Sequence, residues 1–363
     1  MFVIKSPKAY LQRPGLRAEV GKIIAPFGLR IHIYTSPQAW EAVNPEVSES
    51  LERAGIRWQL NYQHGECTDA AIEALQASVL EQDVKVVLAI GGGRVLDCAK
   101  AVNNALPDLV LINFPTLAAT CAAWSPLAII YNEQGGHLRS EPLNKLPEWV
   151  LVDSEVIARS DVRYLKSGIV DALAKWYEFE PYQRQNPDRL AVDLKVLAAW
   201  QAVGVFERWG EQAVADNAQQ RVTPALEKVI EANIVLAGLA NSIQDELSTP
   251  GFAHVIHDRL THQPEFYHWL HGEKVGFSLL VQSIIEQNSH RPDSKLLELL
   301  ARFNTPLTLP FIGDDRAIRV RKLAEEIRFP ADSLQHLPFT ITAEKLEKAL
   351  LSTLAGDFPP SAL

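Results

Sequence analysis

Val87-Leu-Ala-Ile-Gly-Gly-Gly-Arg-Val-Leu-Asp-Cys-Ala-Lys100 decides the fold. A short apolar run ends in Gly91, Gly92 and Gly93, and a helical pattern starts at once. Glycines let the backbone come close to a phosphate, and the free N–H groups and positive dipole at the helix start favour its charge. The pattern is not GxGxxG, so the usual dinucleotide fingerprint is absent. A tight turn without a ligand is the alternative, although a turn rarely needs three glycines. Asp97 and Lys100 lie in the first turns of the helix, where they fix the loop or meet a cofactor.

On both sides of this loop, short apolar runs alternate with amphipathic ones. Strands are expected at 30–34, 58–62, 85–90, 109–114 and 150–152, with helices such as 39–54 and 69–80 between them. That alternation predicts a parallel sheet covered by helices on both faces. Residues 128–131 and 137–139, joined by Asn132-Glu-Gln-Gly-Gly, predict a small antiparallel hairpin at the edge of that domain. A second loop, Phe114-Pro-Thr-Leu-Ala-Ala-Thr-Cys-Ala-Ala-Trp-Ser125, is small and hydroxylated. It leaves the carboxyl end of a strand, where open parallel sheets bind ligands.

Beyond about residue 160 the period changes to 3.6, over 164–179, 189–210, 224–247, 272–287, 294–303, 315–328 and 342–354, and no strand pattern recurs. The expectation is an α/β chain: a Rossmann-like nucleotide-binding domain over residues 1–155 and an all-helical domain over 156–363, with a cleft at the short join. The 363 residues, 47% hydrophobic and 22% charged, suit two soluble domains. A net charge of −9 argues against nucleic acid and anionic membrane as partners. No apolar run reaches the ~20 residues of a membrane span. Cys67, Cys98 and Cys121, an odd count without a CxxC pair, and a start without a signal-peptide pattern fit the cytoplasm.

Half of the ten histidines fall between residues 254 and 271: His254, His257, His262, His268 and His271. His254 and His257 share a face if helical, while His262 and His268 fit solvated faces. His271, beside Gly272, opens an apolar helix and can point into a cleft. Spacing alone leaves metal binding and a solvated cluster both open. A further donor is Asp171, set among Ile169, Val170, Ala172 and Leu173, where a carboxylate is costly without a cation or an ion pair. Lys175, one turn on, supplies the ion pair in the plainer reading. One carboxylate and two imidazoles form a normal donor set for zinc with an open position.

Taken in order, the Gly91 loop, Pro115-Thr-Leu-Ala-Ala-Thr, Gly168-Ile-Val-Asp-Ala-Leu-Ala, Ala253-His-Val-Ile-His and His271-Gly-Glu-Lys-Val resemble the iron-containing class of metal-dependent alcohol dehydrogenases, in its glycerol dehydrogenase branch. Ala119-Thr-Cys-Ala-Ala-Trp and Ala174-Lys-Trp-Tyr-Glu are similar to a subgroup acting on 2-oxo or 2-hydroxy carboxylic acids. The resemblance implies a dehydroquinate synthase-like architecture and a cytoplasmic homo-oligomer. The implied reaction moves a hydride between NAD or NADP and a small alcohol or hydroxy acid. It implies Asp171, His254 and His271 as ligands of one divalent metal. Lys175 stands where the four-ligand iron branch has a histidine, so zinc is expected, with iron the alternative. It implies Gly91, Gly92, Gly93, Thr116, Ala119, Ser125, Leu127 and Tyr131 as cofactor contacts, with Arg94 and Asp97 beside them.

Two departures bear on the substrate. Cys121 replaces an aspartate of the glycerol dehydrogenases, and Tyr34-Thr-Ser-Pro lacks the acid near Ser36 that holds the ribose of NAD, so NADP stays open. Losing a negative charge at Cys121 and gaining Lys175 favours an anion; unit charges 4 Å apart in a partly screened site interact by about 4 kcal/mol. Cys121, Lys175 and His254 are therefore the expected substrate contacts, and His257 a candidate proton relay. Glycerol dehydrogenase proper, a lyase or synthase on the same scaffold, and a cofactor-binding protein without turnover are the competing readings.

Overall fold

In the computed structural model, which describes residues 2 to 354, ten strands form in chain order. They are β1 (Phe2–Ile4), β2 (Ala9–Arg13), β3 (Arg30–Thr35), β4 (Arg57–Tyr62), β5 (Val86–Gly91), β6 (Val110–Pro115), β7 (Leu127–Tyr131), β8 (His137–Pro142), β9 (Trp149–Asp153) and β10 (Ile243–Asp245). Six of them make a parallel sheet in the order β2-β9-β6-β5-β3-β4. β5 lies inside it and is buried along its whole length. Alternate residues point to opposite faces. Val87 and Ala89 therefore enter one core, and Val86, Leu88 and Ile90 the other.

The register aligns the carboxyl ends that matter for function. Thr35 pairs with Ile90, and Gly91 pairs with Pro115, so the loops after β3, β5 and β6 leave one edge together. The direction of winding reverses between β3 and β5, the point at which an open α/β sheet has a crevice.

From Val162 the chain is helical: Val162–Gln185, Leu190–Ala218, Pro224–Glu231, Ala237–Ser242, Phe252–Leu260, His271–Glu286, Ser294–Arg302, Arg316–Glu326 and Ala343–Leu354 are its main segments. The core that receives Val87 and Ala89 continues into this half through Ile169, Leu173, Phe277 and Leu280, so sheet and helices pack on shared apolar surface.

The expected strands are present, with ends shifted by a residue or two, and the hairpin forms between β7 and β8. Four expectations are corrected. The helix expected over 39–54 is two helices, Pro37–Val43 and Glu46–Arg53, because Pro45 cannot donate into the ladder. The helix expected over 224–247 passes through a π-helical stretch, Ala232–Leu236, and stops at Ser242. The second half is then not wholly helical, since β10 follows and pairs antiparallel with β1. The sheet also gains β2, which the sequence pattern does not announce. No helix among the described residues is long and apolar enough to cross a membrane.

Candidate active site

The helix after β5 runs over Gly93–Ala105, and Gly92, its N-terminal flanking residue, offers no side-chain cap. The first N–H groups are therefore left for a ligand. Behind them the helix is anchored by charge. Lys100, with no exposed surface, pairs with Asp97 at 2.9 Å and donates to the carbonyl oxygens of Ser125, at 3.0 Å, and Leu127. Burial pushes the Asp97 carboxyl above its usual range against the pull of Lys100. Of the two roles open to Asp97 and Lys100, fixing the loop is the one these contacts describe. Arg94 reaches outward to Glu66 at 2.7 Å.

At the other end, three helices bring their donors to one point. Asp171 lies midway along Val162–Gln185, His254 in the first turn of Phe252–Leu260, and His271 is the first residue of its helix. Asp171 Oδ1 is 3.2 Å from His254 Nε2 and 3.3 Å from His271 Nε2. One donor atom from each of the three falls within 4.8 Å of the others. Gln282 clips the helices together, its side chain accepting from Ala253 N at 3.1 Å and donating to Tyr177 O at 2.9 Å. Gly272 sets the approach of the His271 helix: a Cβ there would lie 1.9 Å from Ser167 O, while its N–H donates to Ser167 Oγ at 3.0 Å.

The charges around this point are unequal. Glu178, 2% exposed, sits 2.8 Å from His254 Nδ1 and accepts from His254 N at 2.9 Å. The Nδ1 proton is thereby committed to Glu178, and Nε2 is turned to the cluster. Lys175 Nζ is 3.2 Å from Asp171 Oδ1 and 2.9 Å from His254 Nε2. Two N–H donors cannot face each other across that gap, so Nζ and Nε2 share one proton. Burial opposes charge on Asp171, yet Lys175 and His271 hold its carboxyl well below the usual range. Burial likewise opposes charge on His254, and the carboxylates of Glu178 and Asp171 overcome it, raising the imidazole to about 9. Two carboxylates thus face one shared positive charge.

A single cleft of about 2090 Å³ joins the two ends. Every site residue expected from the sequence lines it except Gly91, which stays in the strand behind its neighbours. Cys121, buried and 3.6 Å from Asn241 Nδ2, has its thiol pushed up to about 11 by burial and by Asp171; it is neutral at pH 7. His257 Nδ1 lies 3.0 Å from Asp258 Oδ1, and its ring packs edge-on to His271 at 4.4 Å. Burial and His271 bring it down to about 3, so it is a neutral imidazole that packs against the His271 ring. His268 is exposed, but His262 is not on a solvated face: it is half-buried and meets His137 O at 2.9 Å. Glu178 was assigned no role by the sequence reading. Its spacing of seven from Asp171 on one helix, with Lys175 between, is the signal that marks it.

Three comparisons bear on this geometry. The model of the iron-containing alcohol dehydrogenase family matches residues 7–154. The chain is 30% identical to glycerol dehydrogenase of Pseudomonas putida over 96% of each chain. It is 34% identical to hydroxycarboxylate dehydrogenase A of Escherichia coli K12 over 78% of this chain and 79% of that one. Among solved structures, a probable glycerol dehydrogenase from Sinorhizobium meliloti 1021 superposes with a TM-score of 0.84 at 27% identity, covering 98% of this chain and 99% of the other.

Proposed function

The chain belongs to the iron-containing alcohol dehydrogenase family, and from that premise we propose that it exchanges a hydride between NAD(P) and a small 2-oxo or 2-hydroxy carboxylic acid, with zinc held by Asp171, His254 and His271. Membership makes the chain an oxidoreductase of the alcohol dehydrogenase kind, acting on a small molecule with NAD(P) and a divalent metal. The acid, the zinc and the residue roles are our own reading.

The residues fit a divalent cation. Their donor set is one carboxylate and two imidazoles, the set that suits zinc with a position left open. Glu178 fixes His254 in the tautomer a ligand needs. The carboxylates exceed the positive charge they face, and the Lys175 ammonium now lies among the donors as a cation would. A bound zinc ion acts as a Lewis acid that polarises a carbonyl or lowers the pKa of a hydroxyl. On that reading Lys175 leaves the donors when metal is bound and turns its ammonium to the substrate carboxylate. The uncapped helix start at Gly92 and Gly93 receives the pyrophosphate. Thr116, Ala119, Ser125, Leu127 and Tyr131 lie along the wall where the rest of the dinucleotide would run.

What carries the choice of an acid is the charge of the pocket. Beside the proposed ligands stand a neutral thiol, Cys121, and a buried ammonium, Lys175, 5% exposed. A polyol needs neither; a carboxylate needs the second and is repelled by an aspartate in place of the first. The second reading, glycerol, is favoured by the names of relatives at 30% identity.

One panel decides between them. Wild type and Lys175→Ala are assayed with 2-oxobutyrate and glycerol, each with NAD and NADP, since Thr35-Ser36-Pro37 puts no carboxylate at the end of β3 to repel a 2′-phosphate. We expect the wild type to prefer 2-oxobutyrate. We expect the variant to lose about a hundredfold in kcat/KM for the acid and far less for glycerol. An equal loss for both removes Lys175 from substrate recognition. Chelation should abolish turnover, zinc should restore it better than iron, and His271→Ala should stay folded and bind no zinc. Full activity in metal-free protein would overturn the metal's role.

A further inference from the structure

Lys195 stands on the Leu190–Ala218 helix with its side chain in the wall of the same cleft. It is 8% exposed. Its ammonium donates to Thr249 Oγ1 at 2.7 Å and lies 5.0 Å from the centre of the Phe179 ring. Among the described residues it has no ion pair. Asp245, the acid whose charge it feels, is held by Arg189 at 3.4 Å. An ammonium has three N–H donors, so two are left without a protein acceptor. Burial brings its pKa down to about 8, against the pull of Asp245, which still leaves it charged at neutral pH. A buried charge without a partner is costly, and an incoming anion offsets that cost.

Lys195 and Thr249 line the cleft that also holds Asp171, Lys175 and His254. Phe179, beneath the ammonium, lies about two turns beyond Asp171 on one helix, so the ammonium stands along the cleft from the proposed metal ligands, where a second anionic group of a substrate held there could reach it. The donors match a carboxylate in number. Lys195 gives N–H groups, and the Thr249 hydroxyl, which accepts from Lys195, keeps its own proton to donate: two donors for the two oxygens of a carboxylate. We infer that Lys195 and Thr249 form a subsite for a distal carboxylate, so that the preferred substrates are 2-oxo or 2-hydroxy dicarboxylic acids. This rests on the dehydrogenase reading of the cleft and adds a second anchor to it.

Two measurements test the subsite, one of which needs no turnover. In steady-state assays with 2-oxoglutarate and 2-oxobutyrate, Lys195→Gln should raise KM for the dicarboxylate at least about tenfold more than for the monocarboxylate, with kcat little changed. Lys195→Arg should recover much of that difference. An equal change for both acids, or none, overturns the subsite. In calorimetric titration, glutarate, which has no oxo group to reduce, should bind wild type at least about tenfold more tightly than Lys195→Gln. Equal binding, or no binding to wild type, also overturns it. Lys195-dependent glutarate binding without turnover of either oxo acid would leave the subsite standing and remove the proposed reaction.

Discussion

At the proposed phosphate end of the cleft, the groups offered to a ligand are backbone N–H groups at Gly92 and Gly93, and the nearest support is Lys100 gripping two carbonyls from behind. At the proposed metal end, the groups offered are side-chain tips. Asp171 meets partners 83 and 100 residues away in the chain, on two other helices. The first kind of site is written in a local run and depends on backbone path. The second depends on helix placement, and an error of about 1 Å in one helix can cost on the order of a hundredfold in function. The two ends should therefore respond differently to one added methyl group.

The largest effect is expected at Gly272. A Cβ there would stand 1.9 Å from Ser167 O and 2.7 Å from Ser167 Oγ. The first contact is backbone, so the His271 helix itself has to move. Overpacking of this kind costs about 1–3 kcal/mol, and the shift takes His271 away from Asp171. Gly272→Ala should melt lower than wild type and lose on the order of a hundredfold in zinc affinity, read by competition with a chromogenic chelator. Unchanged zinc affinity would mean that His271 is not held by this contact.

The contrast also explains which parts of the chain could be read from sequence. β5 and its loop were plain because strand, turn and helix start are contiguous and each follows a local rule. The Asp171 helix was plain because a carboxylate among Ile169, Val170 and Leu173 is conspicuous. β1 was not, since Phe2–Ile4 is a strand only through β10, some 240 positions on, and β2, Ala9–Arg13, shows no clear alternation. The join of His254 and His271 to Asp171 came from the resemblance, because spacing alone cannot show three helices converging. Glu178 and Lys195 were passed over although each obeys the rule that exposed Asp171. Both are charged residues set in buried helical runs, 2% and 8% exposed. The rule identifies that such a group has a partner, and only the folded chain shows that one faces His254 and the other an open cleft.

An intermediate effect is expected from Glu178→Gln. Glutamine can still accept from His254 Nδ1, so the geometry is kept, but a buried negative charge is lost and the imidazole becomes less basic. Partners of this kind typically change metal affinity by 10–100-fold. Zinc affinity should fall within that range, while the melting temperature of the metal-free protein changes little. If Glu178→Gln matched Gly272→Ala in both affinity and stability, the metal end would depend on charge as much as on helix placement.

The smallest effect is expected at the phosphate end, from Gly92→Ala. The backbone there is at φ −85°, which any residue adopts. The added Cβ would lie 3.2 Å from Leu117 Cδ1, the tip of a side chain that can turn aside. No N–H is lost, so the dipole and donors at the helix start remain. KM for the dinucleotide should rise by only a few-fold, a cost of roughly 1 kcal/mol or less, with zinc affinity untouched. A loss in cofactor binding as large as the loss of zinc affinity in Gly272→Ala would mean that the loop holds its ligand by shape as tightly as the helices hold theirs. The two ends of the cleft would then no longer differ in kind.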